Sequence, residues 1–240
     1  YAILKILNTR EKNITTIEDP VEYRIKGVNQ IQVNAKTDLT FASGLRSILR
    51  QDPNVIFVGE IRDNETAGIA VNAALTGHLV LSTLHTNDAA TTLPRLTDMK
   101  VEPFLVASTV NVIVAQRLIR KICEMCKSSL SLNREALLNN VTEEIVAKHF
   151  GTSSELRIYK GRGCKICHNT GYVGRIGIFE VLEVSKEIKK SITQKMDSDV
   201  IVKQAIHEGM TTMLDDGLNK VVRGLTTLEE VLRVTKVEML

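Results

Sequence analysis

Short apolar runs that alternate with helical patterns constrain the fold of this 240-residue chain more than any other feature. Val55–Val58 is entirely apolar, and similar runs lie at 13–17 and 78–84. Helical periodicity over 41–51 and 64–75 separates them. Apolar runs of strand length that alternate with helices are typical of a parallel sheet covered on both faces. We therefore predict an α/β fold.

The character of the sequence changes along the chain and indicates three regions. Helical patterns continue over 86–99 and 103–119, which we assign to helices that complete an α/β part at 1–120. The next region, 121–180, contains all four cysteines and several glycine-rich turns. The last, 181–240, is amphipathic with helical spacing, and we predict a small helical domain there.

Composition excludes several classes of protein. The net charge of +3 gives no reason to expect nucleic acid as the main partner, and an aromatic content of 4% disfavours a base-stacking surface. No apolar run approaches the roughly 18 residues that span a bilayer. The chain starts at Tyr1, without a methionine and inside a helical pattern, which indicates a fragment of a longer protein.

Clustered carboxylates follow two of the predicted strands. The stretch EDPVEY places Glu18, Asp19 and Glu22 behind the first, and VGEIRD places Glu60 and Asp63 behind 55–58. Ligands of open α/β sheets bind outside the carboxyl ends of the strands. A proton, an arginine or a metal ion has to lie among such acids, and Mg²⁺ held by one or two carboxylates and phosphate oxygens fits. A single acid after a strand is most often a solvated loop residue, whereas several such strand ends together favour a site.

Basic side chains accompany these acids. Arg46 and Arg50 lie four residues apart in the predicted helix over 41–51, and therefore on one face. Arginines aimed at a phosphoryl group stabilise the charge that develops on its oxygens. A solvated basic face is the alternative interpretation. His78 and His85 bracket the third strand, where imidazoles can contact a phosphate.

The four cysteines form two C-x-x-C knuckles, CEMC and CKIC. Two knuckles bring four thiolates together, which is the ligand set of a closed structural zinc site. We predict that Cys123, Cys126, Cys164 and Cys167 bind Zn²⁺ without a catalytic role. The alternatives are four free cysteines, a redox dithiol or an iron–sulfur cluster.

Three long motifs carry a resemblance to a known family. TTIEDPVEY, GLRSILRQDPNVIFVGEIRD and TGHLVLSTLHTNDA resemble the Asp box, the Walker B region and the His box of the type II secretion and type IV pilus assembly ATPases. The resemblance covers essentially the whole chain. It implies part of a RecA-like P-loop NTPase core, followed by a tetracysteine zinc module and a small helical domain.

The resemblance also implies roles for individual residues. Glu18 matches a glutamate that acts as general base or orients water, and Glu60 matches the Walker B glutamate at Mg²⁺, with Asp19 beside the ion. The other matched residues lie near the nucleotide in the family. These are Arg46, Arg50, His78, His85 and Arg175.

By this resemblance, the parent protein is a hexameric motor ATPase that uses ATP and Mg²⁺ and carries structural Zn²⁺. It would power type IV pilus assembly or type II protein secretion from the cytoplasmic face of the bacterial inner membrane. Its partners would be inner-membrane platform proteins and cytoplasmic adaptors, with no nucleic acid. A non-catalytic zinc-ribbon interaction module on a degenerate NTPase scaffold is the alternative, and a DNA-processing RecA relative is disfavoured by the charge.

One motif of the family is missing from these residues. A P-loop needs G-x-x-x-x-G-K-[ST], and none of the 14 glycines precedes a lysine. By the resemblance, that loop would end just before Tyr1. We therefore expect the 240-residue chain alone to hydrolyse ATP negligibly, and the parent protein to hydrolyse it.

Overall fold

The computed structural model describes residues 1–139 and 141–235, which divide into two compact units. The first unit consists of Tyr1–Thr86, Ala90–Asn111 and Val184–Ile201. The second consists of Asn87–Ala89, Val112–Glu183 and the residues from Val202 onwards. The division into 1–120, 121–180 and 181–240 stays a prediction, and residues 236–240 of its last part lie outside the described residues.

A four-stranded parallel sheet forms the centre of the first unit. Its strands are β1 (Ile14–Glu18), β2 (Asn29–Gln32), β3 (Val55–Val58) and β4 (Leu79–Ser82), in the order β2-β1-β3-β4. Ile17 of β1 pairs with Val58 of β3, which pairs with Ser82 of β4. The carboxyl ends of the three strands are therefore level, and the predicted parallel α/β fold is confirmed.

Helices connect and cover these strands. They are α1 (Ala2–Leu7), α2 (Phe41–Ile48), α3 (Asn64–Leu75), α4 (Thr92–Asp98) and α5 (Pro103–Thr109), with a 3₁₀ turn at Ala35–Thr37. Thr40 caps α2, because its hydroxyl accepts the N–H of Ser43 and the Ser43 hydroxyl accepts the N–H of Thr40. The core beside α1 contains Leu4, Ile14, Ile25 and Val55.

The second unit is built from two antiparallel strand pairs and several helices. Strand β5 (Val112–Ile122) pairs with β8 (Tyr172–Glu183), and β6 (Lys127–Asn133) pairs with β7 (Glu155–Gly161). Helices α6 (Arg134–Leu138), α7 (Glu143–Phe150), α10 (Met213–Val222) and α11 (Leu228–Thr235) pack on these strands. Helix α8 (Lys186–Thr193) belongs to the first unit. Helix α9 (Ser198–His207) begins among the residues of the first unit and ends among those of the second.

Two predicted helices are wrong in extent. The helix predicted over 103–119 ends at Thr109, and the residues from Val112 onwards form β5. Exposed and half-buried side chains alternate over 112–118, which is a strand pattern that its Val and Ile residues favour. Pairing with β8, more than fifty residues later, decides between the two structures. The helix predicted over 86–99 begins only at Thr92.

Membrane-spanning helices are not found among residues 1–139 and 141–235, since none of their helices is long and apolar enough to cross a bilayer.

Candidate active site and metal centre

A cleft of about 460 Å³ opens at the carboxyl ends of β1, β3 and β4. Its lining includes Glu18 and Asp19 after β1, Gly59 and Glu60 after β3, and His85 after β4. Gly59 allows the strand ends to approach closely, because a Cβ there would lie 3.2 Å from the Cα of Glu18. The parallel sheet thus brings acids that are more than forty residues apart into one cleft.

Glu18 is the most buried acid of the cleft, with 3% of its surface exposed. Its carboxylate accepts hydrogen bonds from the Thr16 hydroxyl and from the Gln30 side-chain amide, the latter at 3.2 Å. The phenol of Tyr1 donates to its second oxygen. Because three donors from separate parts of the chain hold it, the orientation of this carboxylate is fixed.

Glu60 is held by two basic side chains. One oxygen pairs with the Arg62 guanidinium and the other accepts from Nε2 of His85 at 2.9 Å. The hydrogen bond from Arg62 lowers the pKa of Glu60; burial opposes this shift and the His85 contact adds to it. Glu60 is therefore an anion, oriented from both sides.

Arg62 is the cation that lies among the clustered acids of the two strand ends. Besides its pair with Glu60, its Nη1 lies 3.7 Å from the Asp19 carboxylate, and Glu60 and Asp19 raise the pKa of the guanidinium. Sequence reasoning missed this residue. The signal was present in GEIRD, where a basic residue follows Glu60 by two positions.

The structure does not bring every predicted residue to the cleft. His78 precedes β4, at the amino-terminal ends of the parallel strands, and its Nδ1 contacts the carbonyl of Ala73. Arg46 pairs with Glu65 on the surface. The Asp63 carboxylate caps α3 by accepting the Thr66 N–H at 2.7 Å.

The remaining two arginines are placed as follows. Arg50 follows α2 and does not line the cleft. Arg175 is exposed in β8 of the second unit, opposite Arg120. The roles that the resemblance gives to Arg46, Arg50, His78 and Arg175 stay predictions.

Cleft residues that the sequence did not single out include an aromatic group. The rings of Tyr1 and Tyr23 meet edge to face at 4.5 Å, and Phe57 lies 6.1 Å from Tyr1 between centroids. Burial, followed by the bond to Glu18, raises the pKa of Tyr1. Spacing alone could not find this group, because its members come from three separate segments.

The second unit contains the four cysteines as one cluster. All four sulfur atoms lie within 4.8 Å of one another, with Sγ–Sγ distances of 3.9 Å from Cys123 to Cys164 and from Cys126 to Cys167. Four thiolates around Zn²⁺ at about 2.3 Å form a tetrahedron with edges of about 3.8 Å. The cluster therefore has the size and donor set that a metal requires.

Backbone N–H donors favour the thiolate form of Cys167, whereas burial raises the pKa of Cys126 to about 11. The N–H groups of Cys164 and Gly171 donate to Sγ of Cys167 at 3.1 and 3.3 Å. Although burial acts in the opposite direction, these donors lower the pKa of Cys167 to about 6. Gly161 and Gly171 are required beneath the knuckles, because a Cβ on Gly161 would lie 2.1 Å from the Gly171 carbonyl oxygen.

Comparison with known proteins decides the family. The family model described as "Type II/IV secretion system protein" matches residues 1–233. The chain belongs to this family. The matched residues, 1–233, include those that line the cleft and the four cysteines.

Curated members of the secretion-protein family are close in sequence and longer. The chain is 48% identical over 238 residues to the type II secretion system protein E of Pectobacterium carotovorum subsp. carotovorum, covering 99% of this chain and 46% of that protein. It is 50% identical over 235 residues to the type IV pilus assembly ATPase PilB of Thermus thermophilus, covering 98% and 26%. The chain thus spans less than half the length of these two relatives.

Solved structures share the fold. The pilus retraction motor PilT, crystallised with bound ADP, superposes with a TM-score of 0.67 at 29% identity, over 99% of this chain and 58% of that one. The Legionella pneumophila ATPase DotB gives 0.65 at 21% identity, over 98% and 55%, and shows likeness of fold alone.

Proposed function

We propose that the protein containing this chain is an ATP-hydrolysing motor subunit that powers type II protein secretion or type IV pilus assembly. The observation that carries this proposal is the cleft in which Glu18 and Glu60 meet at the ends of neighbouring parallel strands. The 48% and 50% identities to proteins named for these two systems support it. The first unit would be part of a RecA-like P-loop NTPase core.

The cleft residues would divide the chemistry of phosphoryl transfer between them. Mg²⁺ with ATP supplies an electrophilic phosphoryl group, and Glu60 and Asp19 would hold the ion. Glu18, oriented by Thr16 and Gln30, would position the attacking water and accept its proton. Arg62 and His85 keep Glu60 ionised and aligned.

Further basic residues would complete the site in the assembled protein. Arg46 and Arg50, at the end of α2, would reach the terminal phosphate, and Arg175 would lie near a nucleotide. The nucleotide-sensing role that the resemblance gives to His78, which precedes β4 at the end of the strand away from the cleft, stays a prediction. We propose a hexamer, located at the cytoplasmic face of the inner membrane, whose platform and adaptor proteins are its partners.

Replacement of Glu60 tests the catalytic proposal. In the full-length protein, Glu60→Gln keeps the size of the side chain and removes its charge. We expect ATP turnover to fall by about 100-fold or more, with the Kd for ATP within about threefold. Glu11→Gln, an exposed change of the same kind, should leave turnover unaltered.

The outcome that contradicts the proposal is retained turnover in Glu60→Gln. That result would favour the alternative function, a non-catalytic zinc-ribbon interaction module on a degenerate NTPase scaffold. The cysteine cluster supports this alternative. Nucleotide binding separates the two functions further, since a scaffold that has lost the site binds neither ATP nor ADP.

We propose that the four cysteines bind one structural Zn²⁺. The sulfur cluster and the two N–H donors to Cys167 support this. A closed four-sulfur site leaves no open coordination position, so the metal would stabilise the fold and take no part in hydrolysis. Metal analysis of freshly purified protein measures the zinc directly, and less than half an equivalent per chain would contradict the proposal.

A further inference from the structure

Glu180 in β8 is a buried acid that the chemistry above does not use. Only 5% of its surface is exposed. One carboxylate oxygen accepts the N–H of Ala89 at 3.0 Å, and the other accepts the N–H of Met213 at 3.4 Å. Each oxygen is thus aimed at the main chain of a different segment.

The segment that contains Ala89 has a second anchor. Nη2 of Arg117, in β5, donates to the backbone carbonyl of Asn87 at 3.2 Å and to its side-chain oxygen at 3.3 Å. β5 and β8 are paired, with Arg117 opposite Ile178, two residues before Glu180. Two neighbouring strands therefore hold both ends of the three-residue segment Asn87–Ala89, here called the tethered segment.

The tethered segment continues directly from the cleft. His85, whose Nε2 contacts Glu60, is separated from the tethered segment by one residue, Thr86. Thr86 precedes the tethered segment and Thr92 follows it, and their hydroxyls are 2.9 Å apart. Ala89 and Ala90 are fully buried. A single residue thus separates the imidazole that orients Glu60 from main chain that Arg117 and Glu180 hold.

A carboxylate suits this task better than an apolar side chain does. Two buried N–H groups converge on the position, and leaving either unpaired is costly. Burial raises the pKa of Glu180, the two N–H donors oppose that shift, and the nearby Asp88 adds to it. Burial of a carboxyl group is costly unless the group is hydrogen-bonded, and the two N–H contacts supply these hydrogen bonds.

We propose that Glu180 and Arg117 are positioning residues for the hydrolytic site, which they serve by fixing the tethered segment and through it His85. This inference rests on the proposed ATPase function. Neither residue lines the cleft. They limit the freedom of the main chain that follows His85 and Thr86. A misplacement of about 1 Å at a catalytic group can cost about 100-fold in rate.

Glu180→Gln and Glu180→Met in the full-length protein test the proposal. Glutamine keeps one acceptor, whereas methionine keeps the volume and removes both. We expect kcat for ATP hydrolysis to fall about tenfold in Glu180→Gln and further in Glu180→Met, with KM within about twofold. Arg117→Met should act in the same direction.

Amide hydrogen exchange measures the tether independently of turnover. The amides of Ala89 and Met213 should exchange faster in both Glu180 variants. Glu183→Gln, an exposed change in the same strand, is the matched control and should alter neither exchange nor kcat. If methionine prevents folding, the glutamine variant still gives both readouts.

The results separate the possible failures. Unchanged kcat in Glu180→Gln, with the Ala89 amide released, would overturn the positioning role. Unchanged exchange at Ala89 would overturn the tether itself, and a rise in KM at constant kcat would overturn the positioning role. Retained turnover in Glu60→Gln would instead contradict the proposed function, and the exchange measurement would still report on the tether.

Discussion

Buried carboxylates in this chain differ in the donors that hold them, and their pKa values shift in opposite directions. Glu180 accepts from backbone N–H groups, and its pKa is raised by burial. Glu230 is 1% exposed and accepts from the guanidinium groups of Arg120 and Arg233 and from the N–H of Arg120. Burial opposes ionisation of Glu230, but these donors lower its pKa to about 2. Glu230 is thus an anion at neutral pH, where β5 and α11 pack together.

Glu230 makes the stability of the folded chain dependent on pH. Its pKa is near 4.5 when unperturbed and about 2 in the fold, so its contribution is complete above about pH 4.5 and is lost as the pH falls towards 2. We expect Glu230→Gln to lower the free energy of unfolding by about 2 kcal/mol at pH 7, and by less at pH 3.

Denaturant titrations at pH 7, 4.5 and 3 measure this effect. The matched control is Glu229→Gln, whose side chain is 70% exposed and pairs loosely with Lys160. It should change the unfolding free energy by less than about 0.5 kcal/mol. An equal loss for Glu230→Gln at all three pH values would show that its charge is not the reason.

Helix packing distinguishes two glycines that sequence alone treats alike. Gly44 lies in α2 and Gly68 in α3, both within helices. A Cβ on Gly44 would lie 2.0 Å from Cδ1 of Ile17, a fully buried residue of β1, whereas a Cβ on Gly68 would meet nothing within 4 Å. Gly44 therefore allows α2 to lie against the strand that ends at Glu18.

The two alanine substitutions should have opposite effects. Alanine is favoured over glycine by about 1 kcal/mol within a helix, so Gly68→Ala should raise the free energy of unfolding by up to that amount. Gly44→Ala should lower it by about 1–3 kcal/mol, because overpacking outweighs the helix propensity. Chemical denaturation measures both, and stabilisation by Gly44→Ala would contradict the packing argument.

At the scale of the whole molecule, the chain is two units, each with an apolar core of its own. The first has a parallel sheet with an apolar core. The second has two strand pairs with helices packed on them, and the cysteine cluster, where the proposed zinc would join segments about forty residues apart. The proposed metal site lies within the second unit alone.

Removal of the metal should therefore act on one unit. A chelator, or Cys164→Ser, should release zinc and speed amide exchange in the residues around both knuckles. Amides of β1 and β3 should keep their protection. His168→Asn, next to Cys167 but not in the sulfur cluster, should retain the zinc. Equal loss of protection in β1 and β3 would show that the metal stabilises the whole chain.

Local patterns in the sequence were sufficient for much of the fold. The predicted helix over Asn64–Leu75 agrees with the structure at both ends, and the strands at β1, β3 and β4 lie where the apolar runs predicted them. The strand-end acids could be found because carboxyl ends of parallel strands meet at one edge. The cysteine cluster could be predicted because each C-x-x-C knuckle is a local pattern, and two such knuckles are typical of one metal site.

Non-local contacts decided what the sequence could not. Val112–Ile122 is a strand only because β8 pairs with it, and its own residues are compatible with either period. The cation among the clustered acids is Arg62, whose contacts with Asp19 and Glu60 depend on how two strand ends meet. Residue types and short periods thus determined the elements and the candidate chemistry. Only tertiary packing determined which side chains touch, because contact between distant segments leaves no periodic trace in the sequence.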